Sequence, residues 1–181
     1  MKTVVVYESM FGNTEHVART IAEAFERAGS QITVTDVSQV QPGDLDGCDL
    51  LVLGAPTHAF SLSRQSTRDD AVRQGADPAR AALGLREWLT TLDGALQSGV
   101  DRPAVAVFDT RVDKVRHLPG SAAKRAARSL RSQGFEVLDR PTSFYVSDLK
   151  GPPNDGELDR AGSWATRLVD GLRGRTRRDV S

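Results

Sequence analysis

The chain of 181 residues contains one cysteine, Cys48, so no disulfide can form within it, and the lone thiol lacks any metal-ligand spacing around it. It therefore packs beside a strand and has no reactive partner. A reducing compartment is the expectation. The amino terminus agrees, because it runs straight into Val4-Val5-Val6 without the charged, apolar and cleavage-site series of a secretory leader. No apolar run approaches the roughly 20 residues of a membrane span, so a cytoplasmic chain with no membrane span is expected. Excess charge is missing too: 24 Lys and Arg balance 24 Asp and Glu. Residues 1–90 hold 8 basic against 12 acidic side chains and the remainder 16 against 12, a mild polarity without the basic stripe that nucleic acid requires. Nucleic acid is thus excluded as an expected partner.

What is present is a repeating alternation of buried strands and amphipathic helices. Residues 3–7 form an apolar β-branched run, the mark of a strand buried on both faces in a parallel sheet. From Thr14, apolar residues Val17, Ala18, Ile21, Ala22 and Phe25 recur at helical spacing up to Gly29. Ile32 to Val37 and Asp49 to Gly54 predict the second and third strands. Asp77-Pro78 reads as the cap and first-turn proline of a helix whose stripe is Ala81, Leu85, Trp88, Leu89 and Leu92. Ala104 to Phe108 predicts a fourth strand and Ala122 to Gln133 a helix. A fifth strand begins near Phe135 to Leu138, breaks at Arg140-Pro141, and resumes at Thr142 to Val146. Leu158, Ala161, Ala165, Leu168 and Leu172 mark the last helix. The organisation expected is one domain over 1–172 and a polar, Arg-rich tail over 173–181 that frays.

Five strands alternating with helices specify an α/β, doubly wound parallel sheet with helices on both faces, and its ligand belongs at the carboxyl ends of the strands. Residues 8–14, 55–63 and 109–118 should reach that edge. About 25 residues separate the third strand from its helix, and loops of that length usually carry function or structure of their own. Ser66-Thr67-Arg68-Asp69 resembles a capping box, predicting a short helix to about Gln74 that Gly75 stops. A lid or partner surface and an inert excursion are both compatible with this segment.

The first loop, Glu8-Ser9-Met10-Phe11-Gly12-Asn13-Thr14, leads into a helix, whose first turn presents unpaired N–H groups and a positive dipole end. The hydroxyls of Ser9 and Thr14 and the amide of Asn13 add side-chain donors, a set suited to a phosphate monoester. The absence of lysine excludes the nucleoside-triphosphate loop, and a single glycine excludes the dinucleotide fingerprint. Tyr7 to Glu15 resembles the phosphate loop of the flavodoxin family, in which hydroxyl residues flank a Gly-Asn-Thr segment after the first strand. Phe11 departs from the family pattern, standing where another hydroxyl is common.

The resemblance implies a flavodoxin-like five-stranded sheet of order 2-1-3-4-5 with bound FMN. Its phosphate would contact Ser9, Met10, Phe11, Gly12, Asn13 and Thr14. The loop Pro56-Thr57-His58-Ala59-Phe60 would meet one face of the isoalloxazine ring, with His58 or Phe60 as the stacking side chain. Asp109, Thr110 and Arg111 would face its pyrimidine side, where a cation such as Arg111 stabilises the reduced, anionic flavin. The function implied is electron transfer, or a small flavin reductase component, with a redox partner protein as donor or acceptor. An NAD(P)H:quinone-type oxidoreductase and a binding module that has lost FMN are the alternatives. A response-regulator receiver domain is excluded, because Gly54-Ala55-Pro56-Thr57 ends the third strand without an acid.

Overall fold

The computed structural model describes residues 1–96 and 102–179. Strands β1 (Lys2–Tyr7), β2 (Gln31–Asp36), β3 (Leu50–Pro56), β4 (Ala104–Val112) and β5 (Thr142–Val146) form one parallel sheet in the order β2-β1-β3-β4-β5. Strand order reverses between β1 and β3, which opens a crevice at their carboxyl ends. Five α-helices are described: α1 (Asn13–Arg27), α2 (Gln65–Arg73), α3 (Leu85–Leu96), α4 (Ala122–Ser132) and α5 (Glu157–Asp179).

The continuous apolar strands are explained by two cores. Val4 and Val6 point with Leu51, Leu53, Val105 and Val107 into one cluster under α3 and α4. Val5 points with Leu50, Val52, Ala106 and Phe108 into another under α1 and α5. Each such side chain contributes about 1.5–3 kcal/mol on full burial, so covering both faces stabilises the central strands twice over. Phe108, Phe144 and Trp164 pack edge to face at 5.8–6.2 Å between ring centres, anchoring α5 to β4 and β5. Both tryptophans sit in these cores with their N–H groups satisfied, Trp88 by the Val40 carbonyl and Trp164 by Asp139.

Four elements differ from expectation. The helix predicted from Asp77 is two pieces: a 3-10 turn at Pro78–Ala81, capped by the Asp77 carboxylate on the Ala79 N–H, and then α3 from Leu85. The break falls at Gly84, where a Cβ would come within 2.4 Å of the Arg68 guanidinium. In α2 the cap lies two residues earlier than the predicted Ser66, with the Arg64 N–H donating to the Thr67 hydroxyl at 2.9 Å. β4 continues to Val112, four residues beyond the expected end. The segment expected to fray from Arg173 remains helical to Asp179, and Val180 and Ser181 lie outside the described residues. The fifth strand does split as expected: Val137 bridges Val105, Pro141 interrupts, and β5 then pairs with Phe108–Val112. Among the described residues no helix is long and apolar enough to cross a membrane, and no acidic, His or Cys cluster could hold a metal.

Candidate functional site

The loop after β1 turns sharply at Gly12, whose φ of 90° is the left-handed conformation that glycine adopts without a Cβ penalty. This turn feeds α1 with no side-chain cap. Among the described residues, the amides of Ser9, Met10, Phe11, Gly12, Asn13 and Thr14 have no acceptor, whereas the next two are satisfied by the Ser9 hydroxyl and the Gly12 carbonyl. Most of the loop is nevertheless sheltered: Ser9 and Thr14 are each 1% exposed. Buried donors without acceptors are costly, so a run of them at a helix tip fits an anion of phosphoryl size.

Side chains complete the cradle. The Thr14 hydroxyl lies 2.8 Å from that of Thr110, joining α1 to β4 across the crevice. Asn13 Nδ2 donates to the Leu149 carbonyl at 3.2 Å, which ties the loop to residues after β5. Gly151 at that point has no room for a Cβ, which would lie 1.9 Å from Asn13 Oδ1. Thr57 acts as a joint beneath the second loop: its hydroxyl donates to Asp109 Oδ2 at 3.0 Å and accepts from the Ala122 N–H at 2.9 Å.

A cavity of about 40 Å³ occupies this edge, room for more than one water. It brings together Ser9, Met10, Phe11, Asn13 and Thr14 from the first loop, Pro56, Thr57 and His58 from the second, and Thr110 from β4. Val112, Val146 and Leu149 also line it, three apolar residues that the sequence reading did not single out. The donor set and the apolar rim suit the two ends of FMN, a phosphate and a flat ring.

Other expected residues lie elsewhere. Asp109 is fully buried and accepts from the Ala123 N–H at 2.8 Å, serving the start of α4. Arg111 is 5% exposed and donates to the carbonyls of Val115 and Leu118, so its charge holds the turn after β4 together. The reason is alternation: because β4 extends to Val112, Thr110 and Val112 face the cavity while Asp109 and Arg111 face the opposite side. That extension was the signal for Val112. Ala59 and Phe60 form the tip of a two-residue hairpin closed by paired His58 and Ser61 backbone bonds, with φ of 45° and 62°. Phe60 is 46% exposed there, outside the cavity lining.

Two titrating groups flank the crevice. Burial, with the Arg68 charge adding to it, pushes the His58 imidazole below its usual value, so the ring is neutral at pH 7. Burial pushes the Glu8 carboxyl up to about 7, against the Leu85 N–H and Arg68, which favour its charged form.

The flavodoxin family model matches residues 5–115. Over 57 residues the chain is 39% identical to a flavodoxin of Maridesulfovibrio salexigens, a match covering 31% of this chain and 39% of that protein. A flavodoxin from the domain Archaea superposes with a TM-score of 0.67 at 18% identity, covering 96% of this chain and 99% of the other. The rubredoxin oxygen:oxidoreductase of Desulfovibrio gigas superposes at 0.65 and 18% identity, over 97% of this chain but 37% of that longer one. At these identities the structural matches speak to the fold alone.

Proposed function

Because the chain belongs to the flavodoxin family, whose members bind FMN and transfer electrons, we propose that it seats one FMN across the β1–β3 crevice and serves as an electron carrier or small reductase component for a redox partner protein. The observation that carries this reading is the run of acceptor-free amides from Ser9 to Thr14 at the tip of α1. FMN supplies a ring that takes up and releases electrons, and the residues of this chain bind and orient it. The phosphate falls to those amides with the Ser9 and Thr14 hydroxyls. Pro56, Thr57 and His58 on one side, and Thr110, Val112, Val146 and Leu149 on the other, form walls for the ring. Neutral His58 offers a flat face and no net charge. Arg111 faces away from the cavity with Nη2 on two carbonyls, so no direct contact with the ring is assigned to it. A cytoplasmic location remains part of this proposal.

The test is titration of FMN-free protein with FMN and with riboflavin, followed by fluorescence quenching. Micromolar or tighter FMN binding, with riboflavin at least about tenfold weaker, fits a phosphate-gripping loop, the factor corresponding to about 1.4 kcal/mol. Equal affinities would place the grip elsewhere, and no binding of either would end the proposal. Steady-state oxidation of NAD(P)H by a quinone would instead favour the quinone-type alternative.

A further inference from the structure

The segment between β3 and α3 sits against the phosphate loop, and three contacts of different chemistry join the two. Glu8 Oε2 accepts from the Leu85 N–H at 2.8 Å, capping α3 from the far end of β1. Met10, 4% exposed, is buried in a small apolar cluster with Ala71, Ala76 and Ala81, with Phe11 and Val72 packed against its edge. Glu15 Oε2 pairs with Arg80 Nη1 at 2.8 Å. The segment has an interior of its own. Arg68, 2% exposed, donates to the Ala81 carbonyl, the Ser63 hydroxyl, Gln65 Oε1 and Glu87 Oε2, gathering α2, the Pro78–Ala81 turn and α3 around one guanidinium.

We infer that residues 61–85 form a brace that holds the phosphate loop in its binding shape, with Met10 and Arg80 as the positioning residues through which it acts. This rests on the FMN reading and adds that the affinity for the phosphate depends on the packing behind the loop. The placement of side chains along the loop makes this possible. Ser9 serves the cavity and Glu8 reaches into the brace, while Met10 does both, lining the cavity and packing among the alanines of the brace. Met10 thus has a role that a hydroxyl at its position could not fill, since only an apolar side chain rewards the burial of three alanines around it. A loop braced in advance loses less conformational entropy when the phosphate arrives, which raises affinity without any added ligand contact. Thermodynamic reciprocity then requires bound FMN to stabilise the brace by the same factor.

The experiment compares wild type, Met10→Ala, Met10→Leu and Arg80→Ala, each stripped of flavin and titrated with FMN and riboflavin. In parallel, amide hydrogen exchange of residues 64–82 is measured with and without FMN. Met10→Ala is expected to weaken FMN about tenfold and Arg80→Ala about threefold, with riboflavin changed less than about twofold and Met10→Leu close to wild type. FMN should slow exchange across 64–82 in the wild type and slow it less in Met10→Ala. A wild type that binds FMN while the variants match it, or while FMN and riboflavin weaken in parallel, overturns the brace and leaves the FMN reading intact. Exchange over 64–82 that is indifferent to FMN does the same. A wild type that takes up neither flavin overturns both.

Discussion

Glu8 offers a direct reading of what the brace costs electrostatically. Its carboxyl is fully buried, and burial shifts its titration from 4.5 up to about 7. Between those two values the folded chain keeps a proton that the unfolded chain has released, so stability falls as pH rises through this window. The contribution is fully present below 4.5 and gone above about 7, and at about 1.4 kcal/mol per pH unit it amounts to about 3 kcal/mol. Glu8→Gln imitates the neutral form and keeps an oxygen for the Leu85 N–H. The two proteins should therefore be of similar stability near pH 4, with the variant ahead by about 3 kcal/mol near pH 8. Urea unfolding across this range, wild type subtracted from variant, removes the other titrating groups, including Glu15, whose lowered titration acts in the opposite direction. A difference that stays constant with pH, or that turns against the variant as pH rises, would refute the reasoning.

Three further outcomes follow from the site's construction. Thr57→Val removes the acceptor for the Ala122 N–H at the start of α4 and should cost about 1–3 kcal/mol in urea unfolding, with Thr57→Ser restoring most of it; an unchanged midpoint would show that this joint is idle. Phe60→Gly relieves a left-handed conformation and should stabilise the protein by about 1 kcal/mol, and a simultaneous loss of FMN affinity would mark Phe60 as a ring contact held at the expense of backbone strain. The His58 ring, depressed by burial and Arg68, should titrate by NMR below 6.5, so its contribution to stability is present above that value and lost as pH falls; a midpoint at or above 6.5 would contradict its placement.

The strands and the doubly wound architecture were legible because β-branched runs such as Val4-Val5-Val6 can be covered only by helices on both sides, whereas the strand order came from the resemblance to the flavodoxin family. The phosphate loop was legible because its donors are contiguous. What escaped depends on contacts distant in sequence. The stripe Ala81, Leu85, Trp88, Leu89 continues through Gly84 without a flaw, and the cap that starts a new helix there comes from Glu8, 77 residues away. Arg111 looked like a loop cation because Phe108 was taken as the last strand residue; pairing with β5 carries the strand on and turns the side chain inward. Phe11 looked like a departure from a hydroxyl-rich loop, and Met10 had no role beyond a phosphate contact, until the segment that packs against them was in place.

The same contacts decide how the site attracts a dianion. The arginines around it are engaged: Arg19 and Arg80 on Glu15, Arg68 on Glu87, Arg111 on backbone carbonyls. Lys150, whose ammonium lies 5.8 Å from the centre of the Phe11 ring, is exposed and makes a cation–π contact worth about 0.5–1 kcal/mol at such a site. Attraction then rests on the amides of Ser9 to Thr14 and the dipole of α1, partial charges that act at contact range and are sheltered from mobile ions. FMN affinity should consequently change less than about threefold between roughly 0.05 M and 0.5 M salt. A steep loss across that range, abolished by Lys150→Met, would mean that a mobile cation does the work here assigned to the backbone.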